Sequence, residues 1–325
     1  MFQTSFKPNI TLTAGSGIID AGSSAAGLIL PSGTTAQRPT SPTVGMSRYN
    51  TTINASEIWN GAAWTAYSAI PYLEILLIGG GGGGGYGSNG NYDGGGGGAG
   101  GVILTALTYL PSMTITIGSG GAANTNGISS KITVSGVDIL TAVGGGAAIN
   151  GGVGASGGSG GGGGGGSNVT HAGGTGTTGQ GFAGGAGVGT SYAGGGGGAG
   201  GVGQDGTNNS VGGYGGYGIT NSFTGPILYY AGGGAGTPIS TSGGGYNAGG
   251  GWLSTGGGNG RVNTGGGGGG GLAGQTLAGG TGGSGIAILR YPTTFSKASA
   301  TTNATVSSVN NYWVYTWLTS GTITF

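Results

Sequence analysis

Cysteine is absent from the 325 residues, which excludes disulfide scaffolds, thiol chemistry and thiolate-bound zinc, haem or iron–sulfur centres. Charge is scarce: seven Lys and Arg, six Asp and Glu, a net charge of +1. That near-neutral balance leaves no basic footprint for nucleic acid or an anionic membrane surface. The one histidine, His171, sits in the polar stretch Asn168-Val-Thr-His-Ala-Gly173 with no acid nearby in the sequence. Asp20, Glu57, Glu74, Asp93, Asp138 and Asp205 are scattered singly, a poor basis for a glycosidase pair or a hydrated cation site. Nine prolines and no steady Gly-X-Y period exclude collagen. The longest apolar stretch, Tyr72–Ile78, falls far short of the ~20 residues of a membrane-spanning helix.

What the chain has instead is glycine, 95 residues of it, with 87 between positions 79 and 285. Disorder goes with low hydrophobicity and high net charge, and this chain is nearly uncharged with 35% apolar residues. Glycine density divides it into three. Residues 1–70 read as short strands and turns: Ile10–Leu12, Leu28–Leu30, Met46–Asn50, Glu57–Asn60 and Trp64–Tyr67, punctuated by Pro31, Pro39, Pro42, Gly45 and Gly61. Residues 71–292 open with Tyr72–Ile78, enter a run of seven glycines, and close with Gly285-Ile-Ala-Ile-Leu-Arg-Tyr291. Strands at Val102–Thr105, Met113–Ile117, Ile132–Val134 and Val137–Val143 interrupt the glycine. Residues 293–325 end in two β-prone pieces, Tyr312–Trp317 and Thr322–Phe325. No apolar stripe of helical period is long enough for an α-helix.

Ordering a glycine costs more backbone entropy than ordering any other residue, about 1–2 kcal/mol each. The glycine runs have hardly any side chains with which to offset it. Backbone hydrogen bonding between extended three-residue-per-turn helices is the remaining source, and chains without Cβ atoms can pack closely enough to make it. The expected fold is therefore mostly β and irregular with little α. A short-strand amino-terminal module precedes a β-framed domain of packed polyglycine-II helices, and the carboxy-terminal β segment packs on that domain.

Several residue strings resemble a known family. Leu76-Leu-Ile-Gly79 running into glycine, Gly94–Gly101 before Val102-Ile-Leu104, and Gly282-Gly-Ser-Gly-Ile-Ala-Ile-Leu-Arg-Tyr-Pro292 are similar to the glycine-rich domain of bacteriophage tail fibres and adhesins. Upstream, Leu30-Pro-Ser-Gly-Thr-Thr-Ala-Gln-Arg-Pro39, Gly45-Met-Ser-Arg-Tyr-Asn50 and Glu57-Ile-Trp-Asn-Gly-Ala-Ala-Trp64 resemble a module recurrent in phage fibre proteins. The resemblance implies a virion appendage, commonly a homotrimer, held to other virion proteins by residues 1–70 and meeting a host surface glycan or outer-membrane protein. In similar adhesins, loops at the tip of a polyglycine-II slab contact the receptor. Met1–Gly15 lacks the apolar core of a signal peptide, which fits a virion part assembled in the host cytoplasm.

The candidate receptor contacts are the aromatic and polar inserts: Tyr86, Tyr92, Asp93, His171, Tyr192, Tyr214, Tyr217, Phe223, Tyr229, Tyr230, Tyr246 and Trp252. Tyr and Trp among Gly, Asn and Ser supply rigid contact area beside adaptable hydrogen bonds. The opposing reading has these rings capping the glycine slab. No catalytic constellation, metal or cofactor is expected, and GxGxxG patterns carry no meaning at this glycine density. The function expected is non-covalent host attachment. A head fibre or capsid decoration protein is the near alternative, and a polyglycine-II ice-binding protein is the alternative of another class.

Overall fold

The computed structural model describes residues 30–53, 55–67, 72–88, 92–108, 110–166, 168–189, 192–207, 211–237, 252–253, 256–273 and 277–325. The β-prone pieces Ile10–Leu12 and most of Leu28–Leu30 lie outside them. The chain divides into two compact units, Met1–Ala69 and Ile70–Phe325. No described helix is long and apolar enough to cross a membrane.

In the first unit, β1 (Ser32–Gly33), β2 (Ser47–Asn50), β3 (Ala55–Trp59) and β4 (Trp64–Tyr67) form one sheet in that order. β1 runs parallel to β2 and the other pairs are antiparallel. The buried side chains described here are polar: Arg48, Asn50 and Glu57. Arg48 and Glu57 face each other across β2 and β3. The Glu57 carboxylate accepts from Arg38 Nη2 at 2.6 Å and Asn50 Nδ2 at 3.0 Å, with Arg48 Nε at 3.5 Å. The Arg38 hydrogen bond holds the Glu57 carboxyl below its ordinary range, against the opposing effect of burial.

The second unit is framed by β5 (Leu73–Ile78), β6 (Val102–Leu107), β7 (Ser112–Thr116), β8 (Ser130–Val134) and β9 (Val137–Ala142). Two short antiparallel pairs follow, β10 (Ile219–Asn221) with β11 (Leu228–Tyr230) and β12 (Trp252–Leu253) with β13 (Gly256–Gly257). β14 (Ile286–Pro292), β15 (Ala300–Val309) and β16 (Tyr312–Thr324) complete it. The eight-stranded sheet runs β6-β5-β14-β16-β7-β8-β9, with β15 also on β16. β16 is the hinge of this arrangement. Its first half pairs β14, its last residues pair β7, and β15 follows it along most of its length. The two pieces expected at Tyr312–Trp317 and Thr322–Phe325 are thus one strand. Its partner β15, rich in Thr and Ser, falls where the sequence reading places no strand.

Because β16 belongs to both halves, the sheet curls until it nearly closes. Gln180 bridges the gap: its carbonyl accepts from Val102 N–H at 3.0 Å, its Oε1 from Val143 N–H at 2.9 Å, and its Nε2 donates to the Thr141 carbonyl at 2.9 Å. Inside lie Leu73, Ile75, Leu77, Met113, Ile115, Ile132, Leu289, Tyr291, Tyr315 and Trp317. On the outer face of β5 and β14, Leu76, Ile78, Ile286 and Ile288 pack against Phe223 and Tyr230 of the β10–β11 segment. β5 is therefore covered on both faces, which is why Leu-Glu-Ile-Leu-Leu-Ile reads as a nearly continuous apolar run.

From this frame the glycine runs go out and return. The first run sends its N–H groups to three neighbours in rotation. Gly79, Gly82 and Gly85 donate to Gly101, Gly98 and Gly95; Gly80 and Gly83 to Ile128 and Thr125; Gly81, Gly84 and Gly87 to Gly283, Gly280 and Leu277. All are 2.8–3.0 Å long. The run 94–101 does the same toward 265–271, 194–197 and 143–146. A donor direction that repeats every third residue is the signature of a three-per-turn helix hydrogen-bonded sideways. Within the runs, positive φ appears at ends such as Gly166 and Gly265. The polyglycine-II expectation is met by this bonding.

Glycine is required because a Cβ has nowhere to go. On Gly268 it would lie against the carbonyl of Gly280, and on Gly97 against that of Gly82, well inside van der Waals contact. The same direction carries each Cα–H toward a carbonyl oxygen, a weak but repeated attraction. Runs of pure glycine, such as 79–85, 94–98, 160–166 and 265–271, are buried throughout. Runs at the surface carry a side chain at every third position instead: Ser119 and Ala122; Thr125 and Ile128, beyond a turn; Ala172, Thr175 and Thr178; Val202 and Asp205; Ala278 and Thr281. All of these are exposed.

Candidate functional site

The runs begin and end at the sheet on one side, where Gly79 follows β5, Gly101 precedes β6, Ala231 follows β11 and Gly285 precedes β14. At the opposite, distal end lie the described residues 86–88 and 92–93, 149–153, 166 and 168–171, 188–189 and 192, and 206–207 and 211, where each outgoing run is followed by a returning one. These segments are stitched together. Asp93 and Gly165 form an antiparallel bridge, as do His171 and Gly187, Val188 and Tyr192, and Thr207 and Val211.

Five expected contact residues meet here. Tyr86 is 41% exposed, and its backbone N–H donates to Asn124 Oδ1 at 3.3 Å. The ring of Tyr92 lies against Gly151, where a Cβ would collide with it. His171 is half-buried with Nδ1 3.0 Å from the Gly164 carbonyl. Tyr192 is half-buried beside Gly206. Asp93 differs from the others: it is 2% exposed, and its Oδ1 accepts the Ala273 N–H at 2.8 Å. Burial pushes its carboxyl up to about 6, with the Ala273 bond opposing. Asp93 is therefore a tie between two reversals rather than a surface contact. Ile149, Val153 and Val169, all exposed, join this end, although the sequence reading gives no reason to single them out, because they are neither aromatic nor polar.

Five of the remaining expected residues lie along the runs or toward the sheet. Phe223 and Tyr230 are buried under the sheet, and burial pushes the Tyr230 hydroxyl up. Phe223 also lies 3.9 Å from the Arg290 guanidinium, which pairs with Glu74. These two rings are core, beyond the reach of a receptor. Tyr229 and Tyr217 are exposed, but Tyr229 sits on β11 and Tyr217 beside Gly200 and Gly201, toward the sheet. Tyr214 is half-buried, its carbonyl accepting from Gln204 N–H. Trp252 pairs through its backbone with Gly257, whose N–H donates to Ala278 next to Leu277, the acceptor for Gly87, so its backbone belongs to the distal end; Tyr246 lies outside the described residues. The inserts thus separate into a distal set and a sheet-side set.

Among the described residues no three His, Asp or Glu side chains converge as metal ligands. What the distal end offers is phenol and imidazole edges, amide and hydroxyl groups, and three exposed aliphatic side chains on a backbone lattice. Such a surface stacks on and hydrogen-bonds to neutral polar partners.

Residues 56–292 match the profile of a family described as a glycine-rich domain. The match ends with β14, while β15 and β16, which complete the same sheet, lie beyond it. No curated protein and no solved structure matches the chain.

Proposed function

This chain belongs to the glycine-rich domain family, and we propose that it is a tail fibre or receptor-binding tip of a bacteriophage virion, attaching non-covalently to the host surface. The observation that carries this reading is the distal clustering of Tyr86, Tyr92, His171 and Tyr192, from separate stretches of chain, on a hydrogen-bonded glycine lattice. A lattice of that kind pre-organises the loops, so less ordering cost is met on binding. Several copies on one particle turn weak loop contacts into avidity. The partner is a host glycan or outer-membrane protein, and the first unit serves attachment to the virion.

The test is adhesion of the labelled full chain to a panel of bacterial strains. Tyr86→Ala combined with His171→Ala is expected to weaken adhesion at least ~tenfold, in line with loss of a binding hot spot, while Tyr229→Ala leaves it unchanged. Adhesion that the distal pair does not affect, or no adhesion beside firm binding to purified capsids, overturns the reading in favour of a decoration protein.

A further inference from the structure

The eight-stranded sheet treats its edges unequally. β6 and β9 approach each other and are bridged by Gln180. β15, by contrast, pairs only with β16 among the described residues. It is ten residues long, Ala-Thr-Thr-Asn-Ala-Thr-Val-Ser-Ser-Val, with neither proline nor a charged side chain. No charged side chain follows Lys297 in the sequence. Proteins normally blunt an edge of this length with Lys, Pro or a covering element, because its free N–H and C=O groups are a template for another strand. The one interruption here is a bulge at Asn303, with φ of 57°.

The geometry of that edge follows from its turn. Asn310 and Asn311, at φ of 48° and 65°, form a two-residue hairpin loop between Val309 and Tyr312. Val309 and Tyr312 are then a hydrogen-bonded pair, and by alternation so are Ser307 with Val314 and Thr305 with Thr316. The backbone groups of Ala304, Val306 and Ser308 consequently point outward. Ala304 and Val306 pack their side chains on the inner core, whereas Thr305 and Ser307 are exposed on the other face.

We infer that β15 is a self-pairing edge: a second copy of this chain adds its own β15 in antiparallel register about a twofold axis at Val306. A row of alternating donors and acceptors is its own complement under such an axis. Centred there, Val306 faces Val306 of the partner subunit, Ala304 faces Ser308 of the partner subunit, and Thr305 faces Ser307 of the partner subunit. Each pair is small and uncharged, so no like charges meet. Two sheets become one continuous sheet. This concerns assembly rather than receptor contact, and it stands or falls apart from the adhesion proposal.

The experiment is sedimentation of the full chain over a wide concentration range. The wild type is expected to show a reversible monomer–dimer equilibrium. Thr305→Lys with Ser307→Lys, both on the exposed face, places lysine opposite lysine and is expected to weaken the dimer at least ~tenfold, while the melting curve of the variant matches that of the wild type at concentrations where both are monomeric. Thr305→Glu with Ser307→Glu is expected to do the same alone, and mixing the two variants should restore a dimer of mixed composition. A wild type that stays monomeric overturns the inference. So does a dimer or larger assembly whose mass the lysines leave unchanged, or a mixture that fails to pair.

Discussion

Gly268 and Trp317 are both enclosed in the same compact unit, for opposite reasons. Trp317 is buried because its side chain is large and apolar. It stacks beside Tyr315 at 6.1 Å between ring centres, and its Nε1 donates to the Thr302 carbonyl at 3.0 Å. Gly268 is buried because it has no side chain, which lets its N–H reach the Gly82 carbonyl at 3.0 Å and its carbonyl accept from Gly97 N–H at 2.8 Å. In the sheet, water is excluded by side chains. In the glycine bundle it is excluded by backbone, and the hydrogen bonds themselves do the joining. The two cores should fail differently. A side-chain core can lose volume and relax, whereas a backbone core cannot gain any.

The sharpest way to break the comparison is to substitute one residue in each core. Gly268→Val would drive methyl groups into the Gly280 carbonyl and push apart helices that hold Gly82, Gly97 and Gly234. Loss of the cooperative thermal transition is expected, exceeding the ~4–5 kcal/mol above which single substitutions are exceptional. Trp317→Ala should cost ~3–5 kcal/mol and leave a cooperative but lowered melt. If Gly268→Val melts like the wild type, the packed-helix account is wrong.

A smaller effect sharpens the comparison at the distal end, where the bundle does enclose an ionisable group. The Asp93 carboxyl titrates higher in the folded protein than in the unfolded chain, because burial disfavours its charged form. Its contribution is therefore fully present below about pH 4 and lost as pH rises through about 6. Asp93→Asn keeps an acceptor for Ala273 N–H without the charge. Chemical denaturation at pH 4 and pH 7 should show the variant gaining on the wild type at the higher pH. Equal differences at both pH values would remove Asp93 as the cause.

The smallest effect is expected one residue beyond a buried contact. Gly280 lies inside the bundle, whereas Thr281 occupies the exposed third position. Thr281→Val should change stability by no more than ~0.5 kcal/mol, the usual range for surface sites. A loss approaching that of Gly268→Val would contradict the three-residue alternation.

Much of this fold is legible in the residues. β5, β6, β14 and the first half of β16 stand out by apolar content, and the polyglycine-II packing follows from what else could order so much glycine. The spacing of three in Ser119–Ala122 and, after the turn at Ala123–Asn124, in Thr125–Ile128 is also present in the sequence and marks two short surface arms. It is easily lost among inserts of irregular length. β15 escapes a reading by pattern because Thr, Ser and Asn dominate it, and its turn, Asn310-Asn311, lacks the glycine of the commonest hairpin signals. The candidate site is half legible. Composition picks out the inserts, but it says nothing of which end of a run each insert closes, so it groups Phe223 and Tyr230 with Tyr86 and Tyr192.

By itself, then, the sequence determined that the interior would be built from backbone, because too few side chains exist to build it otherwise. It also determined where the framing strands begin and end the array. Only the tertiary structure decided which runs lie inside and which face water. It alone closed the sheet through Gln180, buried Asp93 and separated the distal rings from the core rings. The physical reason is that every glycine run has the same local preferences. Which neighbour a given N–H meets depends on registers set between segments as far apart as Gly81 and Gly283.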